Sequence, residues 1–464
     1  MSKTYRPYEP DQLFLMPPSL SEWLPADHMV YFVREVLDTI DLSPVSCVYE
    51  DEERGYPPYH PKVMTGIVLY GYCHGITSSR KLARHCQEDI AFRVLAANNQ
   101  PDFRTISDFR KLHLRALEHL FVEVLRLCQK AGLVKFGHIS LDGTKIKATA
   151  SKHKAMSYGR MKQEIVHLEQ EIAQLLHQAE ETDTREDRQY GKDKRGDELP
   201  EELARRQTRL ARIKEAKRAL EQEAKEQAEG DEKPKPTSDE ELPMAKVKTE
   251  RDPQTGKERI AAKAQRNFTD PDSRIMPYQK TFIQGYNAQI AVDGAHQIIV
   301  ATDLTNSPTD DVLLPYMVAH LPKKPKVFTA DAGYSRTDEN IKYLRRKKSI
   351  DAYVAIGREK HNQSIESRTA GPPRGRIPAD LTIKERMKRK LSTKKGRRLY
   401  ARRKCIAEPP IGQIKQVQGF RQFSLRGYVK ARAEWFLVTA THNLRKLFKA
   451  CNEKPKRRSL VFAG

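Results

Sequence analysis

Apolar residues recur at helical spacing through most of the first 133 positions. They mark a helix from Glu22 to Ile40 that ends before Ser43-Pro44, and a second that Pro61 opens and that runs to about His74. Gly75-Ile-Thr-Ser then turns the chain into a third helix over Ser79–Asp89. Helix, short glycine turn, helix resembles a helix-turn-helix; two core helices joined by an ordinary turn is the plainer reading and the favoured one. Thr105 is placed to cap a long helix that ends before Gly132. Its positions Phe109, Leu112, Ala116, Leu120 and Val124 form one stripe, the mark of a core face. Arg104, Arg110 and Lys111, on or beside that helix, suit either phosphate contacts or a solvated face. Residues 1–133 therefore predict a helical N-terminal domain.

The period then changes to that of strands. His138-Ile-Ser-Leu-Asp142-Gly143-Thr144 and Lys326-Val-Phe-Thr-Ala-Asp331-Ala-Gly-Tyr334 are short β-favouring runs, each carrying an acid before a glycine. Asp142-Gly143, with Ile139 and Leu141 before it and Ile146 after it, also has the form of a hairpin turn. Tyr286–Val292 and Gln297–Asp303 predict a hairpin closed at Asp293-Gly294. Asp310 and Asp311 begin a helix through Leu321, where capping and the helix dipole account for acids. A helix at about Thr337–Lys347 and a strand at Ala352–Ile356 follow. The expectation is a mixed α/β sheet with helices against it, with its first strand in 134–151 and the rest in 263–451.

Residues 152–262 interrupt that sheet. Met161, Ile165, Leu168, Ile172 and Leu175 stand at heptad a and d spacing, and Leu203, Leu210, Ile213 and Leu220 continue a helical stripe beyond a polar stretch. They predict a projecting antiparallel helical hairpin, suited to DNA, to a second subunit or to service as a spacer. The charged, proline-bearing stretch 225–260 predicts a mobile loop.

Charge sharpens the picture. The 464 residues carry a formal net charge of +23, which favours a polyanionic partner. Arg374 to Lys404 holds 14 lysines or arginines against two acids, about half of that excess, and phosphates explain such a run better than solvation alone. Glu408 follows, and Pro409-Pro410 predict a helix starting at or just after it, with Lys415 two turns on and on the same face. Gly419 to Gly427 breaks the pattern, a last helix spans roughly Tyr428–Ala450, and 452–464 is a basic tail. The six cysteines have neither zinc-site spacing nor the pattern of a disulfide framework, which fits a reducing cytoplasm. No apolar run is long enough to span a membrane, and no signal core, Walker loop, H-E-x-x-H or G-x-S-x-G occurs.

Asp142 and Asp331, each on a strand, can lie side by side and share a divalent ion, with Glu408 as a third acid. An acid at a strand end before a glycine turn sits where open α/β sheets place their ligands. Three acids beside a large positive surface suggest metal-assisted chemistry on nucleic acid. In this ordered set the chain resembles the DDE transposases of bacterial insertion sequences, and the segment Gly419-Phe-Arg to Leu-Arg-Gly427, then Glu434-Trp435 and His442-Asn443-Leu444, looks like that family's C-terminal end. Glu408 and Lys415 fit the branch with a Tyr, Arg, Glu, Lys pattern. Tyr400 and Arg403 keep their mutual spacing but stand one residue too far from Glu408, and Lys404 holds the usual Arg position.

The resemblance implies an RNase H-like catalytic domain with Asp142, Asp331 and Glu408 as catalytic acids and metal ligands. They would hold two Mg²⁺ ions, with Mn²⁺ as a substitute, about 3.5–4 Å apart. It implies a transposase that cuts DNA at the element's ends and joins the freed 3′-hydroxyls to target DNA. Tyr400, Arg403, Lys404, Lys415, Arg421 and Arg426 would contact DNA, and a homodimer would hold both ends. Two other readings stay open: an RNase H-like nuclease that cuts without joining, and a transposase-derived DNA-binding protein with an inactive site.

Overall fold

The computed structural model describes residues 19–49, 57–190, 201–229, 242–252, 258–346, 350–357, 373, 375, 378 and 380–462, and in 178–190 the backbone only. The chain divides into two compact units, one of residues 1–133 with 437–464 and one of residues 134–436. In chain order the main elements are α1 (Met29–Thr39), α2 (Ser43–Ser46), α3 (Pro61–Cys73), α4 (Ser79–Glu88), α5 (Ile90–Leu95), α6 (Phe103–Leu112), α7 (Leu114–Lys130), β1 (His138–Lys147), β2 (Ala155–Ser157), α8 (Tyr158–Tyr190), α9 (Glu201–Glu229), β3 (Thr249–Arg251), β4 (Glu258–Ile260), β5 (Gln265–Asn267), β6 (Arg274–Tyr278), β7 (Thr281–Asp293), β8 (Ile298–Thr305), α10 (Leu314–Ala319), β9 (Val327–Ala330), α11 (Asp338–Arg346), β10 (Asp351–Val354), α12 (Ile383–Ser392), α13 (Lys394–Gly412), α14 (Tyr428–Glu453) and α15 (Pro455–Phe462).

In the helical unit, Pro61 occupies the first turn of α3 and His60 caps it, accepting from the Lys62 N–H at 3.1 Å. Gly75 turns the chain with φ +75°. Arg110 is not a phosphate contact. It is buried and donates to the Tyr72 hydroxyl at 2.8 Å, to the Thr77 carbonyl at 2.7 Å and to the Ser79 hydroxyl, so it ties the α3–α4 turn together. The single long helix expected from Thr105 is two, α6 and α7. Asp102 is the cap, and buried His113 breaks the run with φ −100° and ψ 38°. Leu112, just before that break, leaves the core stripe and is 57% exposed. The tail is likewise no free arm: α15 returns Arg458 to Glu35 at 3.0 Å, and Phe462 meets Phe32 edge to face.

The second unit is built on a sheet in the order β8-β7-β1-β9-β10, with β6 extending along the start of β7. β1, β7 and β8 run antiparallel, whereas β9 and β10 run parallel to β1 and to each other. Three antiparallel strands followed by two parallel ones, with helices against them, form an RNase H-like domain. Asp293 closes the β7–β8 hairpin by accepting from Ala295 at 2.8 Å, and it also holds the chain before β1 by accepting from Phe136 at 2.7 Å.

Between β1 and β5 the chain leaves as the α8–α9 hairpin. Tyr158, Met161, Leu168, Ile213, Ala216 and Leu220 bury one another in its own small core. β2 pairs with β5 at its base, and β3 with β4 beyond it, so the expected loop over 225–260 carries a β-ribbon.

Candidate active site

β1 runs straight through Asp142 and Gly143, so the hairpin that Asp-Gly suggests is absent. Asp142 faces Ile290 across β7, in the middle of a nine-residue antiparallel register. On its other side β1 pairs with β9 only as far as Leu141 and Ala330. Asp142 and Asp331 are the next residue on each strand, so the register delivers two carboxylates to adjacent positions at the point where β9 ends. Asp331 accepts from the Gly333 N–H at 2.9 Å, and Asp142 from Gly143 at 2.9 Å.

The third acid comes from α13. This helix begins at Lys394, not near Glu408, and carries Pro409 and Pro410 in its interior. Proline has no N–H for the carbonyl four residues back. The Cys405 carbonyl left over by Pro409 accepts instead from the Gln297 side chain at 3.0 Å. Glu408 is 55% exposed and reaches the other acids through Arg403, whose guanidinium lies 3.2 Å from Asp142 Oδ2 and 3.9 Å from Glu408 Oε1. Tyr400 lies against that guanidinium at 5.9 Å. Lys404 is exposed, so Arg403 is the cation at the acids.

A fourth carboxylate stands on the other side of Asp331. Asp310 precedes α10 by four residues and caps nothing in it. Its Oδ1 accepts from Asn287 at 2.7 Å and from Gln289 at 3.0 Å, and Lys145 lies at 3.5 Å. Gln289 is itself oriented by the buried Tyr334 hydroxyl, which donates to its Oε1. A methyl group on Gly333 would sit 3.0 Å from Asp331 Oδ1 and 3.2 Å from Asp310 Oδ2, so both oxygens line the space this glycine leaves open. Gly143 does the same between Asp310 and Gln289, whose side-chain nitrogen would lie 2.4 Å from a methyl there.

Burial pushes the Asp142 carboxyl up to about 6; Arg403 opposes that rise, while Asp331 and Glu408 add to it. Asp331 is raised as well, by burial and then by Asp310. The same burial lowers Lys145, against the pull of Asp310. These are acids whose negative charge is held at a disadvantage until a cation joins them.

The family comparisons agree with this geometry. Residues 18–112 match a family model described as a transposase domain (DUF772), and residues 263–444 match one described as a transposase DDE domain. No curated protein and no solved structure matches the chain. The chain belongs with the DDE transposases of insertion sequences.

DDE transposases act on DNA and use divalent metal ions. The transposase's donor set fits such ions: oxygens of Asp331 and Asp310 border the space that Gly333 leaves clear, Asp142 stands beside Asp331 in the strand register, and carboxylate oxygens suit hard cations. As the side chains stand, no three His, Cys, Asp or Glu residues among those described converge on one point. Arg403 is the reason at Asp142 and Glu408, since its single positive charge occupies the place between them.

The other expected DNA contacts lie further along. Lys415, on a π-helical turn after α13, donates to the Lys145 carbonyl at 3.0 Å and stands over the Tyr278 ring; burial pushes its ammonium down to about 8. Arg421 is exposed and donates to the Lys415 carbonyl at 3.2 Å. Arg426 is exposed. Within the basic run, Lys390 and Lys395 pair with Asp351 at 2.6 and 2.8 Å, and Lys384 with Asp338 at 2.9 Å, so part of its charge holds α12 and α13 in place. Arg374, the start of that run, lies outside the described residues.

Sequence reasoning assigns Asp310 to the start of a helix and passes over Lys145, Asn287 and Gln289. One signal was present: Asn287 and Gln289 alternate within the otherwise apolar run Tyr286–Val292, and buried amides require partners.

Proposed function

We propose that this transposase cuts DNA at the ends of its insertion sequence and joins the freed 3′-hydroxyls to target DNA, with Asp142, Asp331 and Glu408 as the catalytic acids. The observation that carries the reading is the register: β1 and β9 place Asp142 and Asp331 side by side, and Arg403 links Asp142 to Glu408. In the first step a water oxygen bonds to the phosphorus and the bond to the 3′ oxygen breaks, leaving a 3′-hydroxyl. In the second that hydroxyl bonds to a target phosphorus and displaces the target's own 3′ oxygen.

Mg²⁺, or Mn²⁺ in its place, would supply the Lewis acidity that activates the attacking oxygen and stabilises the leaving one. The chain's residues do the rest. Gly333 keeps the space between Asp331 and Asp310 open, and Gly143 leaves room for Gln289 beside Asp310. Lys145 and Lys415 place positive charge along β1, where a phosphate would lie. Arg403 turns from the acids to the DNA backbone once they hold metal, with Tyr400 as its support. Lys404, Arg421 and Arg426, all exposed, hold neighbouring phosphates. Tyr400, Arg403, Glu408 and Lys415 then serve as this chain's version of the Tyr, Arg, Glu, Lys pattern. The helical N-terminal domain grips DNA, and a homodimer brings the two ends together.

Asp331→Asn keeps the side chain's shape and removes its charge. Mg²⁺-dependent cleavage and strand transfer should both vanish, while gel-shift binding to the element's ends persists. A folded variant that cuts at the wild-type rate would overturn the acid set. Cleavage without joining in the wild type would leave a nuclease, and binding without cleavage a DNA-binding protein.

A further inference from the structure

The α8–α9 hairpin is asymmetric in charge. On one side its ions neutralise one another: Lys214 pairs with Glu169 at 2.6 Å and Arg206 with Glu171 at 3.5 Å. The depression lined by Lys214, Glu215, Arg218 and Gln222 carries both signs. At the hairpin's base the pattern differs. A groove of about 820 Å³ is lined by Lys154, Arg160, Arg205, Arg209 and Arg212, with Phe268 in its wall and no aspartate or glutamate among its lining residues.

The sequence builds this groove by helical spacing. Arg205, Arg209 and Arg212 are four and three residues apart, so they form one stripe on α9. Arg160, in the first turn of α8, faces them from across the groove, and Lys154 comes from the turn before β2. Arg209 has an acid, Glu164 at 2.7 Å. Lys154, Arg160 and Arg212 are exposed and make no ion pair among the described residues. Lys154, Arg160 and Arg212 around one concavity repel each other, and burying apolar surface does not require them there. Such an arrangement gains stability when an anion with several regularly spaced charges enters.

We infer that this groove binds the phosphodiester backbone of DNA, away from the acids and without reading sequence. The lining supports that occupant over an acidic protein segment. Arginines are the preferred partners of phosphate, the Thr269 hydroxyl adds a donor, and Phe268 offers a face to a sugar or base. The inference goes beyond the cleavage reaction, since it concerns affinity alone.

The test uses the full chain and a 30-bp duplex of arbitrary sequence, followed by fluorescence anisotropy over a range of salt concentrations. Each phosphate contact contributes about −0.9 to the slope of log affinity against log salt. The triple variant Lys154→Ala, Arg160→Ala, Arg212→Ala should flatten the slope by up to about 2.7. The double variant Arg160→Lys, Arg212→Lys, with Lys154 retained, should keep most of it. A control on the self-neutralised side, Lys214→Ala with Arg218→Ala, should leave it unchanged.

Circular dichroism melts establish that each variant is folded. A folded triple variant with the wild-type slope overturns the inference. So does a slope lost equally in the control, which would make net charge rather than the groove the cause. Preference of the groove for a polyglutamate peptide over the duplex, competed at equal charge, also overturns it. Cleavage by the wild type in the same preparations is scored separately, so a protein that binds through the groove but never cuts refutes the proposed reaction and not this site.

Discussion

Asp331 stands between two different neighbours. On one side is Asp142, tied to Arg403; on the other is Asp310, held at one oxygen by Asn287, Gln289 and Lys145. Three buried or half-buried donors devoted to a single carboxylate oxygen fix its direction and leave the second oxygen facing Asp331's space. Asp310→Asn should therefore weaken divalent binding about 10-fold or more, the scale on which supporting groups act at metal sites. Calorimetric titration with Mn²⁺ reads this directly, with Asp338→Asn at the exposed start of α11 as control. Equal affinity in wild type and Asp310→Asn would reduce Asp310 to a structural partner of Lys145. Asp142 and Asp331 stand out in the sequence because each follows a β-favouring run and has a glycine within two residues after it. Asp310 has the sequence signature of a helix cap, an acid a few residues before a helix; only the tertiary hydrogen bonds from Asn287 and Gln289 hold it beside the sheet. Arg403 was likewise ambiguous with Lys404. Their difference is a rotation of about 100° on α13, which fixed spacing from Glu408 does not resolve.

At the level of elements, local signals failed where tertiary pairing outweighed them. Asp142-Gly143 has turn chemistry, yet β7 and β9 on either side hold β1 extended. Pro409-Pro410 read as a helix start, yet Gln297 satisfies the Cys405 carbonyl and α13 continues through them. The five strands β1, β7, β8, β9 and β10 are legible, since their apolar runs are short and bounded by turn residues; β6 and the short ribbons β2–β5 are not, because they take their pairing from neighbours.

The β1–β9 seam also carries a pH signal. His138 is buried at its start, and its Nε2 lies 3.1 Å from the Thr329 hydroxyl. Burial, and secondarily Arg402, pushes the imidazole from 6.5 down to about 4. A base with a lowered folded value contributes stability that is complete above 6.5 and is lost as pH falls toward 4. His138→Gln, which does not titrate, should escape that loss. Between pH 7.5 and 4.5 the gap between variant and wild type in urea unfolding should shift in the variant's favour by about 2–3 kcal/mol. A constant gap would mean that the imidazole protonates freely in the folded seam.

On the scale of the whole molecule, the heptad stripe correctly announced a helical hairpin, because its core is internal and so is written in local spacing. That independence has a consequence for deletion. β2 and β5 pair antiparallel at the hairpin's base, with Ser157 opposite Gln265. Two strands in that relation can be closed by a two-residue turn. Replacing residues 158–264 by Asn-Gly should leave the RNase H-like sheet intact, since none of its strands lies in the removed stretch. The deletion removes three bonds to the β8 end: Leu242 and Ala245 N–H groups to Asp303 and Asn306, and the Thr305 hydroxyl to the Pro243 carbonyl. Asp303 keeps Arg432 at 2.6 Å, so its charge stays paired. Each group left without a partner costs about 1–3 kcal/mol only where water cannot reach it, and the deletion opens that edge to water. The shortened protein should therefore unfold cooperatively, a few degrees below the full chain, and bind duplex DNA with a flatter salt slope because the basic groove is gone. Calorimetric melting and the same anisotropy titration check both. Aggregation of the shortened chain at concentrations where the full chain stays in solution would show that the hairpin supports the sheet after all.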